Sequence, residues 1–179
     1  MTDTSNRPGG LPPRLLESLA DAYARGDATA IFAALDHAMR PVIGQTLCTA
    51  NRYEPGEEKL YRLYSSNATA YSTGGSKSKG GTPWGEQVLH QRRLFIGEGV
   101  GALQEVFDDA DTILALGLRS VINVPVVFQD VCLGTFNVLM PRDKVSASQV
   151  ESARLAGLLS VPAFLAARAA GGDQAVLLR

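Results

Sequence analysis

Apolar residues near the start of the chain recur every three or four positions, which is the spacing of an amphipathic helix. A first helix is predicted up to Gly26, a suitable C-terminal stop, and a second from the N-cap residue Asp27 to Pro41. Their apolar faces consist of Leu15, Leu16, Leu19, Ala22 and Tyr23 in the first helix, and of Ile31, Phe32, Leu35, Ala38 and Met39 in the second. Two helices therefore precede the first predicted strand.

After Val42 the pattern changes to stretches rich in β-forming residues. Residues 42–53 and 58–66 flank the turn-forming cluster Glu54-Pro55-Gly56-Glu57, which predicts a hairpin. The strongest β signal comes later, in residues 118–128 and 131–140, where nearly every position is apolar. An antiparallel pair with two apolar faces must be covered on both sides, so helices are expected above and below it.

The segment between these hairpins contains a loop rich in glycine, serine and lysine, residues 72–82, predicted to be a mobile lid. Thr82 caps the short helix that follows, and a brief strand and a helix over 108–117 come next. A long last helix over 146–170 is expected to open with a capping box at Ser148 and Glu151 and to kink at Pro162. Gly171-Gly172 then ends it. This order predicts an α+β fold, a central antiparallel sheet of five to six strands with helices on both faces.

Composition narrows the class of protein. A chain of 179 residues with 45% hydrophobic and 20% charged residues is typical of one globular domain. We expect a disordered lead over 1–11, the domain over 12–170 and a tail over 171–179. The net charge of −1 argues against nucleic-acid binding, and no secretory signal or membrane span of ~20 apolar residues is visible. With only two cysteines, the chain is predicted to be cytoplasmic, without nucleic-acid or membrane partners.

The second hairpin resembles a known family. Residues 116–139, LGLRSVINVPVVFQDVCLGTFNVL, are similar to the GAF-domain pattern of a strand ending in Val-Pro, a turn, and a strand with a central glycine, here Pro125 and Gly134. The upstream order of elements supports this resemblance over about residues 28–168. It implies a small sensory domain with a ligand pocket between the sheet and the short middle helices. It also implies dimerisation through the first and last helices.

The hairpin register decides which polar residues converge. Gln-Asp is not a favoured two-residue turn, so a three-residue loop over 128–130 is expected, with Val127 opposite Val131. Asn123 then shares a face with Thr135 and Asn137, while a two-residue turn would place the asparagines on opposite faces. The residues expected on that face are Val121, Asn123, Pro125, Leu133, Thr135, Asn137 and Leu139. Two asparagines in an apolar wall suit a small-ligand pocket, or simply satisfy each other.

Three further residues are candidates for the ligand site. Trp84, the only tryptophan, lies in the core or in the wall of the pocket. Arg62 and Tyr64 share one face of the second strand and either anchor an anion or lie on the surface. The predicted site therefore consists of Asn123, Asn137, Thr135, Trp84, Tyr64 and Arg62, with no catalytic residue, no metal ligand and no identified cofactor.

The leading functional interpretation is a non-catalytic sensor. It binds an unidentified small molecule, forms a homodimer and signals through its terminal helices to a separate effector protein. One alternative is a GAF-type free methionine-(R)-sulfoxide reductase, although Trp84 stands where that family has a pocket cysteine, and Cys48 and Cys132 lie in predicted strands. The other alternative is a purely structural dimerisation module with a vestigial pocket.

Overall fold

The computed structural model describes residues 13–170. The predicted lead over 1–11, the tail over 171–179 and the helix end at Gly171-Gly172 lie outside the described residues. The helices are α1 (Pro13–Arg25), α2 (Ala28–Ile43), α3 (Pro83–Gly85, continued by a π-helical turn over Glu86–His90), α4 (Gly99–Val106), α5 (Ala110–Ala115), α6 (Ala147–Leu159) and α7 (Val161–Ala170). The strands are β1 (Leu47–Glu54), β2 (Lys59–Ser65), β3 (Ser76–Ser78), β4 (Phe95–Glu98), β5 (Ser120–Phe128) and β6 (Val131–Met140).

These strands form one antiparallel sheet in the order β3-β2-β1-β6-β5-β4. The central strand β6 is buried at every position after its first, because helices cover both faces of the sheet. The predicted α+β class, the six strands and the two covered faces are confirmed. The apolar side chains on both sides of β5 and β6 follow directly from this double coverage.

One face of the sheet, here called the helix face, is covered by α2, α6 and α7, with α1 packed on α2. Phe32, Phe136 and Phe164 are fully buried at its centre, and the rings of Phe32 and Phe164 meet edge to face at 5.2 Å. Burying a phenylalanine side chain contributes about 1.5–3 kcal/mol. The other face, here called the pocket face, is covered by α3, α4, α5 and the segment around β3.

Several predicted helix boundaries are confirmed and two are wrong. Asp27 caps α2 by accepting a hydrogen bond from the backbone N–H of Ala30. Pro41 does not end α2, because a proline in the last turn removes only one backbone bond; the helix ends at Gly44, whose φ is 76°. The capping box lies at Ser146 and Gln149, because the N-cap of α6 is two residues earlier than predicted.

Pro162 coincides with a break in the last helix, as predicted. The helix is interrupted at Ser160, and Pro162 occupies the first turn of α7, where its missing N–H removes no helical bond. The whole stretch Ala147–Ala170 has the length and apolar composition of a membrane span. Ala153, Ala156 and Phe164 are fully buried against the sheet, so one side of this stretch packs in the core, although only 33% of its most apolar window is buried.

The segment over 72–82 differs from the predicted lid. It contains β3, an edge strand that pairs Lys77 with Leu60 of β2. The remainder leads into α3 at Thr82, which accepts the predicted capping bond from the backbone N–H of Gly85. The segment is therefore part of the sheet edge, and a polar edge strand of this length is poorly visible in a glycine-rich sequence.

The turn between β5 and β6 also differs from the prediction. Gln129 and Asp130 form a two-residue turn with φ of 47° and 58°, so Phe128 pairs with Val131. A bulge at Leu133 then shifts the register by one residue and brings Asn123 opposite Asn137. The asparagines share a face as predicted, but Leu133 lies on the helix face with the core.

We expect Gly134→Ala to destabilise the domain by about 1–3 kcal/mol, because overpacking a tight site forces neighbours apart. A Cβ at this position would lie 2.1 Å from the backbone oxygen of Asn51 and 2.7 Å from the Phe164 ring. Urea denaturation measures the change. Gly56→Ala is the control, since no atom lies within 4 Å of its added Cβ. Equal stability of the two variants would contradict this packing.

Candidate functional site

A cavity lies on the pocket face, between the sheet and the covering made by α3, α5 and β3. The space in it that a water-sized molecule can occupy is about 70 Å³, enough for a few waters or one very small molecule. Its residues fall into a polar floor, an apolar wall and a charged mouth. The cavity is lined by Leu47, Thr49, Asn51, Leu60, Arg62, Tyr71, Lys77, Lys79, Trp84, Phe107, Asp109, Ile113, Val121, Asn123, Asn137 and Leu139.

The floor is a chain of hydrogen bonds between buried side chains. The indole Nε1 of Trp84 donates to Oδ1 of Asn123 at 2.9 Å, and Nδ2 of Asn123 donates to Oδ1 of Asn137 at 2.8 Å. Nδ2 of Asn137 then donates to Oγ1 of Thr49 at 3.1 Å. The asparagines therefore satisfy each other, as one of the two interpretations predicted, and they also line a cavity. A ligand role for them stays a prediction.

The direction of this chain follows from chemistry. An indole N–H only donates, so Trp84 requires the amide oxygen of Asn123 on its side, and Asn123 must present its NH₂ group to Asn137. Both amide oxygens accept within the chain. The second N–H of each asparagine and the hydroxyl hydrogen of Thr49 have no acceptor within residues 13–170. The floor therefore offers hydrogen-bond donors to the cavity.

The wall above the floor is apolar and comes from several elements. Leu47 of β1, Val121 of β5 and Leu139 of β6 flank the amides on the sheet. Ile113 of α5 and Phe107 close the opposite side. A molecule in the cavity would meet polar groups only at its two ends.

The mouth carries three basic side chains, two of which are paired with aspartates. Lys77 forms an ion pair with Asp109 at 2.6 Å, and Lys79 forms one with Asp108 at 3.2 Å. The Lys79 side chain is 6% exposed and that of Asp108 is 84% exposed, so the lysine reaches its partner from below the surface. These pairs connect the β3 segment to the start of α5, across the cavity.

Arg62 differs from the two lysines. Its guanidinium stacks 4.9 Å from the centre of the Tyr71 ring, and Nη1 donates to the backbone oxygen of Ser72 at 3.2 Å. Within the described chain it forms no ion pair, and its buried Nε has no hydrogen-bond partner. The buried Tyr71 hydroxyl lies beside the Asp109 carboxylate, to which it can donate, and has no other partner in the described chain. The Nε of Arg62 therefore leaves hydrogen-bonding capacity at the mouth.

Electrostatic surroundings change the pKa of the mouth residues. Burial opposes ionisation of Asp109, but the hydrogen bond and charge of Lys77 outweigh it, so the pKa of Asp109 lies below its usual value. Burial lowers the pKa of Arg62, with the charge of Asp109 opposing that effect. Burial and the Asp109 charge together raise the pKa of Tyr71. At neutral pH, Asp109 is ionised and Tyr71 is protonated.

The structure brings together four of the six predicted site residues: Asn123, Asn137, Trp84 and Arg62. The prediction that Tyr64 shares a face with Arg62 is wrong, because a bulge at Leu63 turns Tyr64 to the helix face. There its hydroxyl donates to Oδ2 of Asp36 at 3.2 Å.

Thr135 is fully buried next to the floor but does not line the cavity. Sequence reasoning assigned no site role to Thr49, Asn51, Tyr71 or Asp109. Thr49 and Asn51 alternate along β1, and this spacing was an available signal. Tyr71 and Asp109 reach the cavity through loops, and their positions follow no local pattern.

Neither cysteine lines the cavity. Cys48 lies in the core of the helix face, and burial raises its pKa. Cys132 packs beside Tyr53 and Val88, where burial raises its pKa to about 11. Both thiols are therefore protonated at neutral pH. Between Pro13 and Ala170, no group of three His, Cys, Asp or Glu side chains is arranged to hold a metal ion.

Comparisons with known proteins identify the fold. No family model and no curated protein matches the sequence. The structure is similar to the GAF domain of a two-component sensor histidine kinase from Bacillus halodurans, with a TM-score of 0.65 and 12% identity over 79% of this chain and 95% of that one. It is also similar to the GAF domain of a phosphoenolpyruvate-protein phosphotransferase from Coxiella burnetii (TM-score 0.64, 12% identity, 88% and 96% covered).

A third similar structure is the phycoerythrobilin-bound GAF domain of a cyanobacterial phytochrome, with a TM-score of 0.63 and 12% identity over 88% of this chain and 96% of that one. At such low identity these likenesses establish the fold. The chain has the GAF fold, as the resemblance of residues 116–139 implied, and its structural neighbours are domains of signalling proteins.

We expect Trp84→Phe to destabilise the domain by about 1–3 kcal/mol, because it leaves the buried Oδ1 of Asn123 without a donor. Urea unfolding followed by circular dichroism measures the change. Tyr53→Phe is the control: it trims another buried aromatic residue, in the cluster that contains Trp84, and its hydroxyl makes no hydrogen bond within the described chain. A loss for Trp84→Phe no larger than for Tyr53→Phe would argue against the bonded chain.

We expect Asp109→Asn to cost up to about 1 kcal/mol near neutral pH, since the pair with Lys77 is only partly buried. The folded-state pKa of Asp109 lies below the ordinary aspartate value of 3.8, so its stabilisation is present above that pH. It is lost as the pH falls through the lowered folded-state value.

Denaturation of the wild type and the variant between neutral and strongly acidic pH should show the stability difference closing on the acidic side. The exposed Asp111→Asn is the control, because this residue has no ion-pair partner in the described chain. A difference that persisted unchanged at low pH would contradict the role of the Asp109 charge.

Proposed function

We propose that this GAF-fold chain is a non-catalytic sensor that binds a small molecule in the cavity on its pocket face. The observation that carries the proposal is the buried amide floor, whose spare donors face an apolar cavity. Polar groups in a folded core normally have all their partners, and spare donors lining a cavity are the usual basis of ligand orientation. The signalling context of the structural neighbours is consistent with this role.

The same cavity gives little support to the reductase alternative. Such an enzyme needs cysteine thiolates beside its substrate. Here Cys48 lies on the helix face and Cys132 lies outside the cavity lining, each with a raised pKa. A raised pKa lowers the thiolate fraction and hence the reactivity of a cysteine. A non-catalytic role is therefore the preferred proposal.

We further propose that the chain is a cytoplasmic homodimer that signals through its terminal helices to a separate effector protein. Leu16 of α1 is 52% exposed and Leu158 of α6 is 68% exposed. Leu155, on the same helix as Leu158, is also exposed. Exposed leucines on helices that also pack the core are typical of an interface. Docking of these helices on a second copy would bury them.

A physical connection between the cavity and these helices runs through β6. Asn137 lies in the cavity floor, and Gly134 three residues earlier lies against the ring of Phe164 in α7. Because this contact is tight, a shift of β6 on ligand binding would displace α7. This connection favours a sensor over the purely structural dimerisation module, in which the cavity would have no influence on the helices.

We expect native mass spectrometry of the freshly purified protein to give a mass near twice 19.0 kDa plus a small mass that is lost on denaturation. Asn123→Leu should lose the extra mass while remaining folded, because it removes a donor and an acceptor from the floor. Leu158→Glu should give the monomer, whereas Leu116→Glu, at an exposed leucine beside α5, should remain dimeric.

The outcomes separate the alternatives. A ligand-free dimer would favour the purely structural dimerisation module if Asn123→Leu also caused no change in any ligand response. A ligand-free monomer would contradict the proposed dimer interface on the terminal helices. Turnover of free methionine-(R)-sulfoxide with dithiothreitol as reductant would support the reductase alternative.

A further inference from the structure

We propose that the ligand is a small organic anion with acceptor oxygens at both ends, of the class of short dicarboxylates. This inference rests on the proposed function and identifies the chemistry of the molecule that the same cavity takes. It follows from the distribution of donors, acceptors and charges around the cavity.

The floor end of the cavity selects acceptor groups. The indole of Trp84 fixes the direction of the bonded chain, which occupies the amide oxygens of Asn123 and Asn137. The N–H groups left over and the hydroxyl of Thr49 can donate to a ligand oxygen. A carboxylate accepts several such bonds, whereas an ammonium group would find no vacant carboxylate there and would face donors.

The mouth end selects negative charge. Asp109 and Asp108 already neutralise Lys77 and Lys79, but no carboxylate in the described chain pairs with Arg62. A half-buried guanidinium without a counter-ion is unfavourable, and its fork geometry matches a carboxylate. The partnerless Nε of Arg62 marks the place where a ligand oxygen would bind.

The space between the two ends is apolar. Leu47, Val121, Ile113 and Leu139 line it, so a short hydrocarbon spacer between two acceptor ends fits the chemistry of the wall. A compact inorganic anion such as phosphate would satisfy the donors of one end only. A diamine would bring positive charge to a mouth whose two carboxylates are already paired with lysines.

Isothermal titration calorimetry with the full chain tests this chemistry, using succinate, glutarate, succinamide, putrescine and inorganic phosphate. We expect a dicarboxylate to bind at least roughly tenfold more tightly than succinamide, the value of one charge-assisted contact, and to weaken with added salt. Putrescine should not bind, and phosphate should bind more weakly than the dicarboxylate.

Arg62→Gln should weaken dicarboxylate binding roughly ten- to a hundredfold and leave succinamide binding unchanged. Arg62→Lys keeps the positive charge but lacks the paired N–H donors of the guanidinium, so it should weaken dicarboxylate binding less than Arg62→Gln does. Arg142→Gln is the control: it removes the same charge from an exposed position outside the cavity and should bind dicarboxylates as tightly as the wild type does. Circular dichroism of each variant verifies that it is folded.

Three results would overturn the anion assignment: no dicarboxylate binds at millimolar concentration, succinamide or putrescine binds as tightly as the dicarboxylates, or folded Arg62→Gln and Arg62→Lys bind them unchanged. The proposed function is tested separately, by native mass spectrometry. If native mass spectrometry finds a bound molecule that is neutral or cationic, the sensor stands and the anion assignment is wrong. If it finds none and no probe binds, both are wrong.

Discussion

The whole domain is organised around β6, a strand covered by helices on both faces. Because β6 has no solvent-facing side, each of its residues must fit either the core or the cavity. Its neighbours share this constraint: β1 and β5 must present apolar side chains to α2, α6 and α7, and both polar and apolar ones to the cavity. Gly134 marks its tightest point, where the backbone of β1 and the ring of Phe164 leave no room for a side chain.

The polar floor also depends on this sandwich. An asparagine pair in the middle of a sheet is costly unless its amides are bonded, and the chain from Trp84 to Thr49 provides those bonds. The chain draws on α3, β5, β6 and β1, so the floor is held by elements far apart in sequence. Such a floor is rigid enough to orient a ligand and is sensitive to any shift of the central strands.

Much of this architecture is predictable from local patterns, and the remainder is not, for identifiable reasons. Helical periodicity and the apolar runs of β5 and β6 predict the fold class and the two covered faces. The bulge at Leu63 leaves no mark in the sequence, and it alone removes Tyr64 from the site. The bulge at Leu133 offsets the unexpected two-residue turn, so Asn123 and Asn137 share a face as predicted although the predicted loop is wrong. The mouth is assembled by loops whose closure depends on tertiary ion pairs.

Trp84 is the only tryptophan in the sequence, and its indole N–H is bonded to the floor of the cavity. The emission of the protein under selective ultraviolet excitation therefore comes from one side chain at the site itself. Any molecule that enters the cavity changes the polarity around that indole. The domain thus carries an intrinsic optical reporter of occupancy, and ligand screening requires neither a label nor an engineered probe.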